Sequence, residues 1–210
     1  MVDASWLYFI AASLVLIATP GQDMILVMSR SVAHGAAAGV VTAAGVSVGL
    51  VGHTILAPLG LGAILRTSEW LFFLLKLIGA AYLVYLGISL LRTKRTDLAF
   101  ASASNRSLAR LFVDGAFSNL SNPKVAIFYF AFLPQFVLPS ALYPAVTVFV
   151  LGIVFAALTF LVKAPVGFFS GGLSSWLRSR PTVLTWVYRS SGAVLITLGV
   201  RLAFERRNAG

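Results

Sequence analysis

Long apolar runs separated by short polar intervals dominate the chain. Residues 4–28 are apolar apart from an interruption at Thr19-Pro20-Gly21, and residues 31–65 contain no Asp, Glu, Lys or Arg. Residues 70–91 form a third run whose only charge is Lys76, with Trp70 at its edge. Apolar sequence then recurs at residues 111–137, 144–169 and 183–204, with Pro134, Pro139 and Pro144 marking the turn between the first two of these. About 20 apolar residues cross a hydrocarbon core of about 30 Å, so the pattern predicts an all-α integral membrane bundle of about six transmembrane helices. Trp70 sits where an interfacial aromatic anchor belongs.

Composition sharpens this picture. Of 210 residues, 59% are hydrophobic and 10% charged, against roughly a quarter charged in soluble domains. Six spans leave no room for a soluble catalytic domain, and no enzymatic activity is expected. With no cysteine and two histidines, His34 and His53, thiolate redox chemistry and a metal site are not expected, nor is a cofactor. The start Met1-Val2-Asp3 lacks the basic stretch of a signal peptide, so the first run is read as a retained helix.

The net charge of +10 lies between the spans rather than along one polar face, which speaks for membrane topology and against nucleic acid. Residues 92–110 hold Arg92, Lys94, Arg95, Arg106 and Arg110, the largest basic excess of any loop, and are placed in the cytoplasm. Both termini would then face outward, against which the basic tail with Arg201, Arg206 and Arg207 counts.

The two halves resemble each other weakly. Lys76-Leu77-Ile78-Gly79-Ala80 with Gly87 parallels Arg189-Ser190-Ser191-Gly192-Ala193 with Gly199, and Thr19-Pro20-Gly21 corresponds in place to Asn122-Pro123-Lys124. The chain is therefore read as one transporter domain, 1–210, made of three-helix repeats at 1–91 and 111–210 joined by the 92–110 loop. Because three is odd, the second repeat enters the membrane from the opposite side, the inverted arrangement many transporters use.

A proline inside a helix has no N–H for the carbonyl four residues earlier, so Pro20 releases the carbonyl of Leu16 and Pro123 that of Asn119. Released backbone is tolerated at membrane depth only where it is buried in protein or lines a cavity, and paired interruptions point to a transport site. Polar side chains flank both breaks. The candidate substrate-binding set is Thr19, Pro20, Gly21, Gln22 and Asp23 with Asn119, Asn122, Pro123 and Lys124. Asp23 is a carboxylate at depth, with a cap or an ion pair to Arg30 as its plainer role. Lys124 is about ten residues from either end of its run, beyond snorkelling reach. Lys124, Asn119 and Asn122 would hold a carboxylate while Asp23 and the released carbonyls hold an ammonium, which suits a zwitterion. Asp23 and His53 are the candidates for proton coupling. Lys163, Lys76 and Arg189 are expected to snorkel or gate rather than bind.

Gly45-Val46-Ser47-Val48-Gly49 matches a nucleophile elbow, but that motif needs a strand before a helix, and here it lies in an apolar helical run. Its spacing, repeated at Gly35/Gly39 and Gly167/Gly171, is that of close helix contacts.

Thr19-Pro20-Gly21-Gln22-Asp23 with Ser29-Arg30, Leu75-Lys76-Leu77-Ile78-Gly79-Ala80-Ala81-Tyr82-Leu83 with Tyr85-Leu86-Gly87, and Asn119-Leu120-Ser121-Asn122-Pro123-Lys124 through Phe132-Leu133-Pro134-Gln135-Phe136 resemble the LysE/RhtB superfamily of bacterial amino-acid exporters. The resemblance implies a multi-pass protein of the bacterial cytoplasmic membrane that exports neutral or basic amino acids or their derivatives, of the homoserine, threonine, leucine or lysine type, by proton antiport. A homodimer is one assembly open to it. Gln22 departs from the second proline common in that family, which makes the first break milder. Two rival functions are weaker. A cation exporter of the same superfamily needs several carboxylates, and the spans offer only Asp23 and Asp114. An intramembrane serine protease would pair Ser47 with His53, six residues and about 600° apart on one helix, hence on nearly opposite faces.

Overall fold

The computed structural model describes residues 4–19, 21–67, 69–92, 106–122, 125, 126, 129, 132–137 and 142–204. Seven α-helices occupy the described residues: α1 (Ala4–Ala18), α2 (Gln22–His34), α3 (Ala36–Thr67), α4 (Glu69–Arg92), α5 (Leu108–Leu120), α6 (Pro144–Ser179) and α7 (Pro181–Phe204). A 3-10 turn, Leu133–Phe136, lies between α5 and α6, and no strand occurs among the described residues. All-α architecture is what apolar runs of this length dictate, because inside lipid a helix satisfies its own backbone polar groups. By length and composition α3 over Ala36–Ala57 and α6 over Pro144–Ser170 can each cross a bilayer. The bent pair Trp6–Ala18 and Gln22–His34, at 53° to one another, makes a third candidate.

Glycine decides how the helices meet. Gly39 of α3 faces Gly167 of α6, and a Cβ built on Gly39 would lie 2.6 Å from the Gly167 carbonyl oxygen. Further along the same pair Gly152 faces Thr54, so α3 and α6 run antiparallel. Gly115 of α5 lies against the Thr42 carbonyl and Gly49 of α3 against Asn119, so α3 and α5 run parallel. Gly87 of α4 abuts Gly192 of α7, and Gly199 abuts the carbonyl of Ala80, which makes these two antiparallel. Such contacts are expected where lipid removes the hydrophobic drive for helix association and close van der Waals approach must replace it. Gly45 and Gly49 both press on α5, so the G-x-S-x-G sequence is a packing surface. Ser47 donates to the Ala43 carbonyl one turn back at 3.0 Å, whereas His53 engages the Asn119 carbonyl.

Gly35 joins α2 to α3 at φ 91°, a left-handed value that costs glycine nothing. The apolar core gathers Phe9, Leu50, Leu83, Tyr129, Phe132, Leu133, Leu151, Phe155 and Leu195. It thus draws on α1, α3, α4, α6 and α7 together with the 3-10 turn.

Candidate functional site

The break after α1 takes the form of two separate helices. Thr19 ends α1 by donating its N–H to the carbonyls of Val15 and Leu16, at 3.1 and 3.2 Å, and its hydroxyl to Val15 at 2.8 Å. Leu16's carbonyl, expected to be released by the proline at position 20, is therefore partly re-satisfied within the turn. Gly21 is the extended N-cap of α2, and Gln22 opens the helix, both exposed. Asp23 follows in the first turn, where a carboxylate is favoured by the helix dipole.

From there Asp23 points inward and is 9% exposed. Its Oδ2 accepts from Asn119 Nδ2 at 2.8 Å and from Lys163 Nζ at 3.2 Å. Three helices, α2, α5 and α6, thus converge on one oxygen. Lys163 was expected to snorkel or gate, and it does not snorkel, being 7% exposed and ion-paired. The physical reason is helix length: α6 continues to Ser179, so Lys163 lies near its middle instead of six residues from the end of a run closing at 169. Asp23 likewise does not pair with Arg30. Nearby, Pro165 lies inside α6 and leaves the ladder one donor short beside the ion pair.

Two acceptors in this cluster have no hydrogen-bond partner among the described residues although they are buried: Asp23 Oδ1 and Asn119 Oδ1. Buried groups of this kind are uncommon, because each forgoes hydration without return. A lysine ammonium carries three donors, and one is used here.

Asn119 also links the ion pair to His53. Its backbone carbonyl accepts the N–H of Asn122 at 3.0 Å and lies 3.2 Å from His53 Nε2. A carbonyl only accepts, so Nε2 carries the proton and donates. Residue 123 is a proline without an N–H, and His53 occupies the second lone pair that the next helical turn would have filled. Gly49 makes room for this side chain: a Cβ there would lie 2.9 Å from Asn119 Cβ. Beyond His53 stands Tyr129, ring centroids 5.7 Å apart, with its hydroxyl donating to the Gly152 carbonyl at 3.3 Å.

The structure therefore brings together Asp23, Asn119 and His53 from the sequence-derived set, and adds Lys163. Asn122 is buried one turn below Asn119, while Thr19 and Gly21 line the approach to α2. Pro20, Pro123 and Lys124 lie outside the described residues, as do most of the 92–110 loop and the side chain of Lys76. Arg189 is exposed. A charged residue deep in an apolar run is the signal for Lys163, and the small and polar residues after Phe169 obscure how far that helix extends.

A second charged cluster sits two turns further along α2. Asp114 of α5 is ringed by Arg30 of α2 at 3.6 Å, Arg110 at 3.2 Å, and Arg106 in direct ion-pair contact. Asp114 is thus committed to arginines and is not paired with Asp23. Among the described residues no group of three or more His, Cys, Asp or Glu side chains gathers in one place.

An ion pair buried beside a helix break in a bundle of apolar helices marks a candidate transport site. Residues 14–206 match the profile of the LysE type translocator family. This chain belongs to the LysE type translocator family. It is 30% identical over 202 residues to the homoserine/homoserine lactone efflux protein of Salmonella typhimurium, covering 96% of this chain and 97% of that one. It is 26% identical over 200 residues to the leucine efflux protein of Klebsiella pneumoniae, covering 95% and 94% of the two chains. A membrane protein of Pseudomonas aeruginosa is 30% identical over 203 residues, with 94% of each chain covered. No solved structure matches the chain. Membership makes the protein a membrane-embedded translocator, related to amino-acid efflux proteins.

Proposed function

We propose that this translocator exports amino acids or close derivatives, neutral or basic, across the bacterial cytoplasmic membrane in exchange for protons. The observation that carries the proposal is the buried Asp23–Lys163 pair with the two unpartnered acceptors, Asp23 Oδ1 and Asn119 Oδ1, beside it. An α-amino acid inserted between the partners gives its ammonium to those oxygens and its carboxylate to Lys163, so both charges stay paired. Lys124 and Asn122, from the second break, are further candidates for the carboxylate end. Relatives named for homoserine and leucine efflux fit cargo of this size and class, while the homoserine lactone in the first of those names has only the ammonium end to offer.

Asp23 and His53 are proposed as the proton-coupling groups. Asn119 touches both, donating from its side chain to Asp23 and accepting at its carbonyl from His53, so a charge change at one is felt at the other. Two inverted repeats, 1–91 and 111–210, remain the proposed organisation, with the 92–110 loop cytoplasmic. The antiparallel pairs α3/α6 and α4/α7, each joining corresponding helices of the halves, support it.

Purified protein in liposomes, loaded with labelled homoserine, threonine, leucine or lysine and given a pH gradient, tests the proposal. Gradient-driven flux of at least one of them is the expected result; no flux of any of the four would overturn it. Lys163→Met and Lys124→Met separate the two lysines. Losing a cationic partner for a desolvated carboxylate weakens binding by roughly 2–5 kcal/mol, tens- to thousands-fold. The variant showing that loss identifies the lysine that meets the cargo.

A further inference from the structure

Arg30 and Asp23 are both on α2 and seven residues apart, hence on nearly the same face and about 10 Å from one another. Each reaches across to α5: Asp23 to Asn119 and Arg30 to Asp114. The α2/α5 seam therefore has two polar crossbars, one at the buried ion pair and one nearer the end where α5 begins. The outer crossbar is unevenly built. Arg106 is bonded to Asp114 Oδ2 and Arg110 to Oδ1 at 3.2 Å, so both carboxylate oxygens are already served when Arg30 approaches Oδ2 at 3.6 Å.

Arg30 is the least firmly held of the three and the most enclosed by protein, 15% exposed against 36% for Arg106 and 68% for Arg110. Its Nε is buried and has no hydrogen-bond partner among the described residues. Guanidinium groups recognise a carboxylate with two parallel donors, and the Nε edge of Arg30 is open for such a contact.

We propose that Arg30 is a carboxylate-binding residue of an outer site at the α5-start face, and that Asp114 is the internal carboxylate holding it closed until the carboxylate of a cargo takes its place. Exchange of one carboxylate for another keeps Arg30 paired throughout. It also frees α2 from α5 at the outer crossbar, opening the path to Asp23 one step further in. This assignment rests on the export of amino acids proposed above, and it names a residue outside the buried pair as the first to meet them.

The chain has no cysteine, so one introduced at Leu26, between the two crossbars on α2, reports opening through its reaction with an impermeant maleimide in the full-length protein. Vesicles of both orientations present each face in turn. Asp114→Asn, which leaves the arginines without their carboxylate, is expected to speed labelling from the α5-start face by about tenfold, equivalent to about 1.4 kcal/mol in the opening equilibrium. Asp114→Glu keeps the charge and is expected to label at the parental rate, which guards against a fold defect in the Asn variant.

With Asp114 intact, leucine and homoserine on that face should speed labelling, whereas leucinamide and homoserine lactone, which lack a free carboxylate, should not. Arg30→Gln should erase the difference between the two mixtures. Unchanged labelling in Asp114→Asn, or equal acceleration by cargo with and without the carboxylate, overturns the assignment. Because the Asp114 comparison needs no cargo, its outcome is independent of whether the liposome assay finds amino-acid flux.

Discussion

Helix α5 is held on two sides by opposite means. Toward α3 it presents Gly115 and receives Gly45 and Gly49, with backbones so close that an added Cβ at Gly115 would lie 2.6 Å from the Thr42 carbonyl oxygen. Toward α2 it offers Asn119 and Asp114, which meet Asp23 and Arg30 through side-chain tips. Close backbone packing is the sum of many weak contacts that no small molecule can reproduce, so that seam is fixed. A polar contact can be handed to a ligand carrying the same groups, with little net change, because interhelical hydrogen bonds in membranes are worth only about 0.6 kcal/mol on average. The difference teaches where such a bundle can open: the glycine seams of α3 with α5 and α6 are the fixed frame, and the α2/α5 seam is the one whose ties are exchangeable.

Breaking the polar side from one partner should have the largest effect. Asp23→Asn leaves Lys163 buried with no carboxylate, and losing one member of a buried pair destabilises by about 3–5 kcal/mol. Thermal unfolding in detergent should show this drop, and export should vanish. Adding Lys163→Met removes the stranded charge, so the double variant should recover most of the stability while remaining inactive. If Asp23→Asn unfolds at the temperature of the parent, the pair is not a closed buried contact and the polar seam has been misjudged.

On the glycine side the expected effects are smaller and of another kind. Gly39→Ala forces a methyl against the Gly167 backbone, and overpacking of this sort costs about 1–3 kcal/mol. Stability should fall while export per folded molecule stays at the parental rate, since that seam does not move. Reduced turnover at full stability would show α3 sliding on α6 during transport, and the distinction between fixed and exchangeable seams would collapse.

Much of this was legible in the sequence, unevenly. Helix existence followed from apolar run length: the runs at 70–91 and 183–204 became α4, Glu69–Arg92, and α7, Pro181–Phe204. Small-residue spacing marked Gly39, Gly45, Gly49 and Gly167 correctly as contact points, though not which helix each would touch, and it marked Gly35 wrongly, since nothing packs against that turn glycine. Asp23 and Asn119 stand out in the sequence because a polar side chain beside a proline in an apolar run is costly unless it meets a partner or a cargo. The burial of Lys163 was not legible because Gly and Ser residues after Phe169 blurred the end of α6, which runs to Ser179. Pairing partners were not legible at all: Asp23 and Lys163 are 140 residues apart, and no local pattern encodes their meeting. The arginine ring on Asp114 escaped for the same reason, since sequence offered Arg30 to Asp23 instead.

The smallest expected effect concerns His53, which joins the fixed frame to the exchangeable seam. It stands on α3 among the glycine contacts, yet its Nε2–H goes to the carbonyl of Asn119, the residue that also holds Asp23. His53→Gln keeps an amide donor of similar reach, and Asn119's carbonyl retains the Asn122 N–H in any case. Stability should therefore change by about 1 kcal/mol or less, the net worth of one hydrogen bond. Glutamine cannot take up a proton, however, so the coupling role proposed for this position is removed. Exchange of labelled for unlabelled amino acid across the liposome membrane, which needs no net proton movement, should continue near the parental rate. Stimulation of net export by a pH gradient should be lost. Retention of full gradient-driven export by His53→Gln would remove His53 from coupling and leave Asp23 as the proton carrier, making the histidine a fixed-frame residue that caps a carbonyl left open by Pro123.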